Sequence, residues 1–115
     1  MGVPLGAVVL VRFPFSDLSQ SKLRPAVVLA HAGRGDHVLC QVTSKPYGDL
    51  GAIELGHAAF ASGSLRVTSY ARPEKLITAS PDLVTSDLAL LKPDTFTRVV
   101  DAIVDLLRSG SVAGR

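Results

Sequence analysis

Lys22-Leu23-Arg24-Pro25-Ala26-Val27-Val28-Leu29-Ala30 is the stretch on which the reading of this chain turns. From Pro25 onward it is an apolar run rich in β-branched residues. Its proline stands at the start, where a strand tolerates a missing N–H. Ahead of it, Ser16-Asp17-Leu18-Ser19-Gln20-Ser21-Lys22-Leu23-Arg24 is the longest polar stretch between strand-like segments and reads as a loop. The segment before that loop, Ala7 to Phe13, is a second β-branched run, stopped by Pro14. Val38 to Thr43 makes a third strand, ended by Lys45-Pro46-Tyr47-Gly48. Ala52-Ile53-Glu54-Leu55 makes a fourth, Ser64 to Ser69 a fifth by its alternation, and Leu76-Ile77-Thr78 begins a sixth. Strands joined by short links containing Gly, Pro and Asp predict a mainly β fold, a barrel or a strongly bent sheet.

The period changes at the C-terminal end. Residues 81–93 read as a turn and a short strand or helix around Val84–Leu91, then Pro93. From Asp94 to Arg108, Phe96, Val99, Val100, Ile103 and Leu107 recur at helical spacing. Asp94 is the expected N-cap, Gly110 the stop, and Arg108 suits the dipole of the last turn. The polar face carries Asp101 and Asp105 and is acidic. That argues for packing on the sheet or on a second subunit rather than on a membrane surface. The last residues, Ser111 to Arg115, are expected to fray.

At 115 residues the chain is expected to be one domain, 1–115, able to bury its own core. The hydrophobic fraction of 47% is that of an ordinary globular protein. A single cysteine, Cys40, excludes an internal disulfide and a zinc site built on several cysteines. Within the run His37 to Val42 it reads as a small buried hydrophobe rather than a nucleophile. Neither a signal peptide nor a bilayer-length apolar stretch is seen, which points to the cytoplasm. The net charge of +2 is unevenly spread. Residues 1–80 hold eight Lys/Arg against five Asp/Glu, and residues 81–115 hold four against five. One basic face for a polyanion would follow.

Three segments carry candidate chemistry. The polar loop combines hydroxyls and an amide (Ser19, Gln20, Ser21) with Lys22 and Arg24. Such side chains suit a phosphodiester, since hydroxyls and amides donate to oxygen and guanidinium forks onto phosphate. Against this stands a solvated hairpin loop. Thr43-Ser44-Lys45, at a strand end, could hold a phosphate or simply cap the strand through local backbone bonds. Arg72-Pro73-Glu74-Lys75 reads as an exposed charged turn. His31, His37 and His57 show no metal-ligand spacing and read as surface or satisfied core. No metal or other cofactor is expected.

Taken together, these segments resemble the MazF/PemK family of toxin endoribonucleases. The resemblance rests on the strand after Gly6 with Phe13-Pro14-Phe15-Ser16-Asp17, on Arg24-Pro25 opening an apolar strand, and on Val42-Thr43-Ser44 closing the next. Ser69-Tyr70-Ala71-Arg72 and the closing helix fit as well, so the likeness runs from about Leu5 to Leu107. It implies an SH3-like β-barrel with a C-terminal helix, of the MazF/CcdB plasmid-maintenance-toxin type, assembled as a homodimer. It also implies metal-independent, sequence-specific cleavage of single-stranded RNA and inhibition by a cognate antitoxin. The family's catalytic arginine falls on Arg24 and its catalytic threonine on Thr43. Ser19, Gln20, Ser21, Lys22, Ser44, Lys45 and Arg72 then become RNA-binding candidates.

The chain departs from the family where some members carry a glutamate: that position is Ser19. An Arg and an Asp found in other members around Ser69 and Ala71 are missing too. The general base is therefore open, with Asp17 the nearest carboxylate in sequence and His57 more remote. Two alternatives of another class stand beside the nuclease. One is a gyrase-binding toxin of the CcdB type, which would have no need of Arg24 and Thr43. The other is a catalytically silent relative that binds RNA or only its antitoxin.

Overall fold

The two apolar runs pair with each other. In the computed structural model, which describes residues 3–14, 21–46 and 50–111, β1 (Ala7–Pro14) and β2 (Ser21–His31) are antiparallel. Val8 lies opposite Val27, Val9 opposite Ala26 and Val11 opposite Arg24. Side chains on a strand alternate between faces. Here both faces are buried. Val8, Val27, Cys40 and Val42 enter one core with Leu55, Phe60, Val99 and Ile103. Val9, Val11, Ala26, Val28 and Leu39 enter a second with Phe13 and Ala79. A strand buried on both sides has no polar alternation to show, which is why these runs are continuously apolar. Each fully buried valine stabilises the fold by about 1.5–3 kcal/mol.

The remaining strands are β3 (His37–Thr43), β4 (Ile53–Leu55), β5 (Phe60–Gly63), β6 (Ser69–Ala79) and β7 (Val84–Leu91). They form an antiparallel sheet of order β4-β6-β3-β2-β1-β7-β5. Its two terminal strands, β4 and β5, follow one another in the chain, joined by Gly56 and a single 3-10 turn at His57–Ala59. The sheet thus coils into a nearly closed barrel. Helix α1 (Pro93–Ser109) packs on β6 and β4, burying Thr95, Val99 and Ile103. Gly6 locks the entry to β1. Its φ of +87° suits glycine, its N–H donates to the Val28 carbonyl (2.8 Å), and its own carbonyl accepts from Leu91 N–H (2.9 Å).

Several expectations shift. The fifth strand is Phe60–Gly63, and residues 64–68 form a connection; β6 already begins at Ser69 rather than at Leu76. Exposed side chains at Arg66, Val67 and Thr68 show that the alternation there has no core beneath it. Val84–Leu91 is a strand, paired to both β1 and β5. The helix is capped by Lys92 with Pro93 in its first turn, not by Asp94. Proline's fixed φ and missing N–H suit that turn, and Asp94 Oδ1 instead accepts from Thr95 N–H at 3.0 Å. Gly110 does terminate the helix, in the left-handed conformation at φ +81°. Leu107 is 69% exposed and leaves the buried stripe. Each four-residue step advances about 40° beyond a full turn, so the series Thr95, Val99, Ile103 has rotated off the sheet by 107.

Candidate functional site

Lys22 and Arg24 stand on β2 as part of the strand, not in a loop. Period two puts them on the face that carries Ala26 and Val28. Across the ladder, Val28 pairs with Leu39 and Ala26 with Gln41, so Leu39, Gln41 and Thr43 share that face on β3. Continuing the register by two residues sets Arg24 across from Thr43. One sheet face is therefore apolar core at Val28 and Leu39 and turns polar as it leaves the core. Lys22, Arg24, Gln41, Thr43, Ser44, Lys45 and Arg72 line a groove of about 320 Å³ there. All four charged residues among them are cationic. Among the described residues, no carboxylate forms an ion pair with Lys22, Arg24 or Lys45.

Arg72 reaches the groove through an irregularity in β6. Cys40 pairs with Leu76 and Val42 with Ala71, so Gln41 alone faces Arg72, Pro73, Glu74 and Lys75. The segment expected as an exposed charged turn is an excursion inside a strand. Pro73 is buried, Arg72 half-buried, and Glu74 and Lys75 exposed. A bulge re-aims side chains and accepts a proline that a regular central strand would reject. Cys40, fully buried as expected, fixes the excursion: its thiol donates to the Arg72 carbonyl at 3.2 Å. The Arg72 guanidinium lies 3.7 Å from the Glu74 carboxylate.

Thr43 makes the local bonds that the sequence left as an alternative to phosphate binding. Its Oγ1 accepts from Lys45 N–H at 3.1 Å and lies 3.2 Å from the Lys45 carbonyl, to which its O–H donates. These bonds place the hydroxyl at the groove wall. Rotation about Cβ–Oγ1 is all that is needed to turn that proton away from the Lys45 carbonyl.

Of the residues read as site candidates, the groove brings together Arg24, Thr43, Lys22, Ser44, Lys45 and Arg72. Ser21 opens β2 opposite Pro14. Asp17, Ser19 and Gln20 lie outside the described residues. Sequence reasoning missed Gln41, although its alternation with Leu39 and Thr43 carried the signal. It also missed an adjoining cavity of about 300 Å³. That cavity shares Lys22, Arg24 and Gln41 with the groove, and Phe13, Leu76, Ile77, Glu74 and Lys75 complete it. His31 and His37 prove to be partners across the turn between β2 and β3, with their Nδ1 atoms 3.2 Å apart and rings edge to face. His57 is exposed in the 3-10 turn beside β4. Among the described residues, no three His, Cys, Asp or Glu side chains converge on a metal position, and no helix is long and apolar enough to cross a membrane.

Solved structures share this architecture. A MazF structure from Deinococcus radiodurans superposes with a TM-score of 0.73 at 23% identity, covering 94% of this chain and 98% of that one. A MazE–MazF complex from the same organism gives 0.70 at 24% identity, with the same coverages. An endoribonuclease in complex with its cognate antitoxin, from a mycobacterial species, gives 0.68 at 17% identity over 94% and 96%. No curated protein is significantly similar to the chain in sequence. The family profile of PemK-like, MazF-like toxins of type II toxin–antitoxin systems matches residues 5–107, and the chain belongs to that family.

Proposed function

We propose that this chain, as a single-domain toxin acting in the cytoplasm, is a metal-independent, sequence-specific endoribonuclease that cleaves single-stranded RNA. The observation that carries the reading is the groove that Arg24 and Thr43 line together with three further cations. RNA brings its own nucleophile. The 2′-oxygen attacks phosphorus to form a phosphorane; the bond from phosphorus to the 5′-oxygen then breaks and that oxygen takes a proton from water, leaving a 2′,3′-cyclic phosphate, or a 3′-phosphate after hydrolysis, and a 5′-hydroxyl. Negative charge builds on the phosphorane oxygens between those events. Arg24 cannot lose its own charge and stabilises that build-up most where water is partly excluded. Thr43 donates to a phosphate oxygen or to the leaving oxygen. Lys22, Lys45 and Arg72 hold the flanking phosphates, with Ser44 beside them; Ser19, Gln20 and Ser21 add hydroxyl and amide donors to RNA binding. Asp17, which precedes Arg24 in the same segment, takes the proton from the 2′-hydroxyl. Two copies of the chain pair symmetrically and set two grooves along one RNA track, and an acidic antitoxin segment inhibits by occupying that track.

The test is incubation of purified protein with a long single-stranded RNA in excess EDTA, followed by analysis of the ends. Cleavage to cyclic or 3′-phosphate and 5′-hydroxyl ends is expected. Activity lost on chelation and restored by magnesium, or intact RNA throughout, overturns the reading. Light scattering tests the dimer, which a strict monomer at micromolar concentration refutes.

A further inference from the structure

Glu74 is out of place in a surface built for phosphate. The groove around Arg24 is lined by cations and neutral donors, yet the cavity that continues it past Gln41 carries a carboxylate. Acceptor oxygens repel a phosphodiester; what they suit is a group rich in N–H donors. The same cavity has an apolar side, from Phe13, Leu76 and Ile77, against which a flat ring can lie. Arg72 lines the phosphate groove while Glu74 lines the cavity, and their ion pair at 3.7 Å bridges the two. Glu74 therefore sits at their junction, in the cavity that Arg24 also lines.

We propose that this second cavity is a nucleobase subsite beside the scissile phosphate, and that Glu74 makes it select guanine. The inference rests on the ribonuclease reading of the groove. Guanine presents two neighbouring donors, N1–H and N2–H, which a carboxylate accepts side by side. Uracil presents one N–H between two carbonyl oxygens that the carboxylate repels. Adenine and cytosine present an amine beside a ring-nitrogen acceptor. Glu74 thus favours one base and penalises the others, the two halves of specificity. Lys75, in the same cavity, supplies a donor for guanine O6, the pairing that lysine and guanine adopt in nucleic-acid recognition. Single-stranded RNA leaves these edges open to be read.

The experiment measures binding, so that it does not depend on cleavage. Guanosine, adenosine, cytidine and uridine 3′-monophosphates are titrated separately into the wild-type chain and into Glu74→Gln, with binding followed by calorimetry or amide chemical shifts. The wild type is expected to bind the guanosine nucleotide about 10-fold or more tighter than the other three, as a good bidentate pair discriminates. Glu74→Gln, isosteric and partly exposed, is expected to erase that gap while binding of uridine 3′-monophosphate persists. Equal affinities in the wild type, a gap that survives in Glu74→Gln, or no nucleotide bound at millimolar concentration overturns the subsite. A chain that selects guanine but cuts no RNA refutes the nuclease reading and keeps the subsite. A chain that cuts RNA without selecting guanine does the reverse.

Discussion

Strands β2 and β3 are joined at one end by a tight turn and at the other open onto the groove, and the two ends handle polar groups in opposite ways. At the turn, polar groups satisfy one another. Ala32 N–H donates to the Asp36 carbonyl at 2.8 Å and Asp36 N–H to the Gly33 carbonyl at 3.3 Å, while His31 and His37 share a hydrogen bond. Arg34 and Gly35 take positive φ to close it. At the groove, Lys22, Arg24 and Lys45 converge without a carboxylate partner among the described residues. Concentrated like charge destabilises a fold by self-repulsion. On the proposed reading, the end that concentrates unpaired cations is the one that meets the RNA, and the internally satisfied end serves the fold.

Substitutions at the two ends should therefore separate activity from stability. The largest effect is expected from Arg24→Ala: RNA cleavage falls by about 10²–10³-fold while the melting temperature stays within a few degrees, since the side chain is only half-buried. A variant that cuts at the wild-type rate removes Arg24 from the chemistry. Thr43→Ala should cost about 10–100-fold in cleavage, the range of one hydrogen bond to a charged group. Thr43→Ser, which keeps the hydroxyl, should recover most of it. Equal losses in both would take the effect away from the hydroxyl, since serine keeps the oxygen that bonds Lys45.

The closed end should show the reverse pattern. His37 is 5% exposed, and His37→Ala is expected to destabilise the chain by about 1–3 kcal/mol, from lost packing and a lost hydrogen bond. Cleavage by the folded fraction should be unchanged. Denaturant titration beside a cleavage assay checks this, and a cleavage defect exceeding the unfolded fraction would tie the two ends together. Smallest, Gly35→Ala should cost about 1 kcal/mol, because φ is +80° there while an added Cβ meets only Pro81 Cγ at 3.6 Å. No measurable destabilisation would mean that the turn relaxes to another conformation.

The sequence disclosed this fold unevenly. The strands β1, β2 and β3 were legible because long apolar runs with β-branched residues have few other uses, and α1 because its 3.6-residue period extends over several turns. The fifth strand was misplaced by a few residues. Ser64 to Ser69 alternates as a strand does, but alternation reports a face only when something covers it, and nothing covers Arg66 to Thr68. Arg72 to Lys75 looked like a turn because its proline and charges are turn residues; they occupy an irregular stretch of β6, where the same residues are tolerated for the same reason.

Local pattern was sufficient for the mainly β class and the closing helix, and the resemblance of Arg24-Pro25 and Thr43-Ser44 to the MazF/PemK family marked Arg24 and Thr43 as the leading candidates. Those inferences need only side-chain chemistry, strand and helix periods, and that likeness. Tertiary structure decided the rest. The pairing of Ala26 with Gln41 brings Arg24 toward Thr43, and the four-residue excursion opposite Gln41 carries Arg72 to one cavity and Glu74 to the next. Strand register and bulges arise from contacts between residues far apart in the chain, where one residue of slip reverses every side chain. No window of sequence contains both partners, so the partnership of Glu74 with the groove is visible only once the sheet has closed.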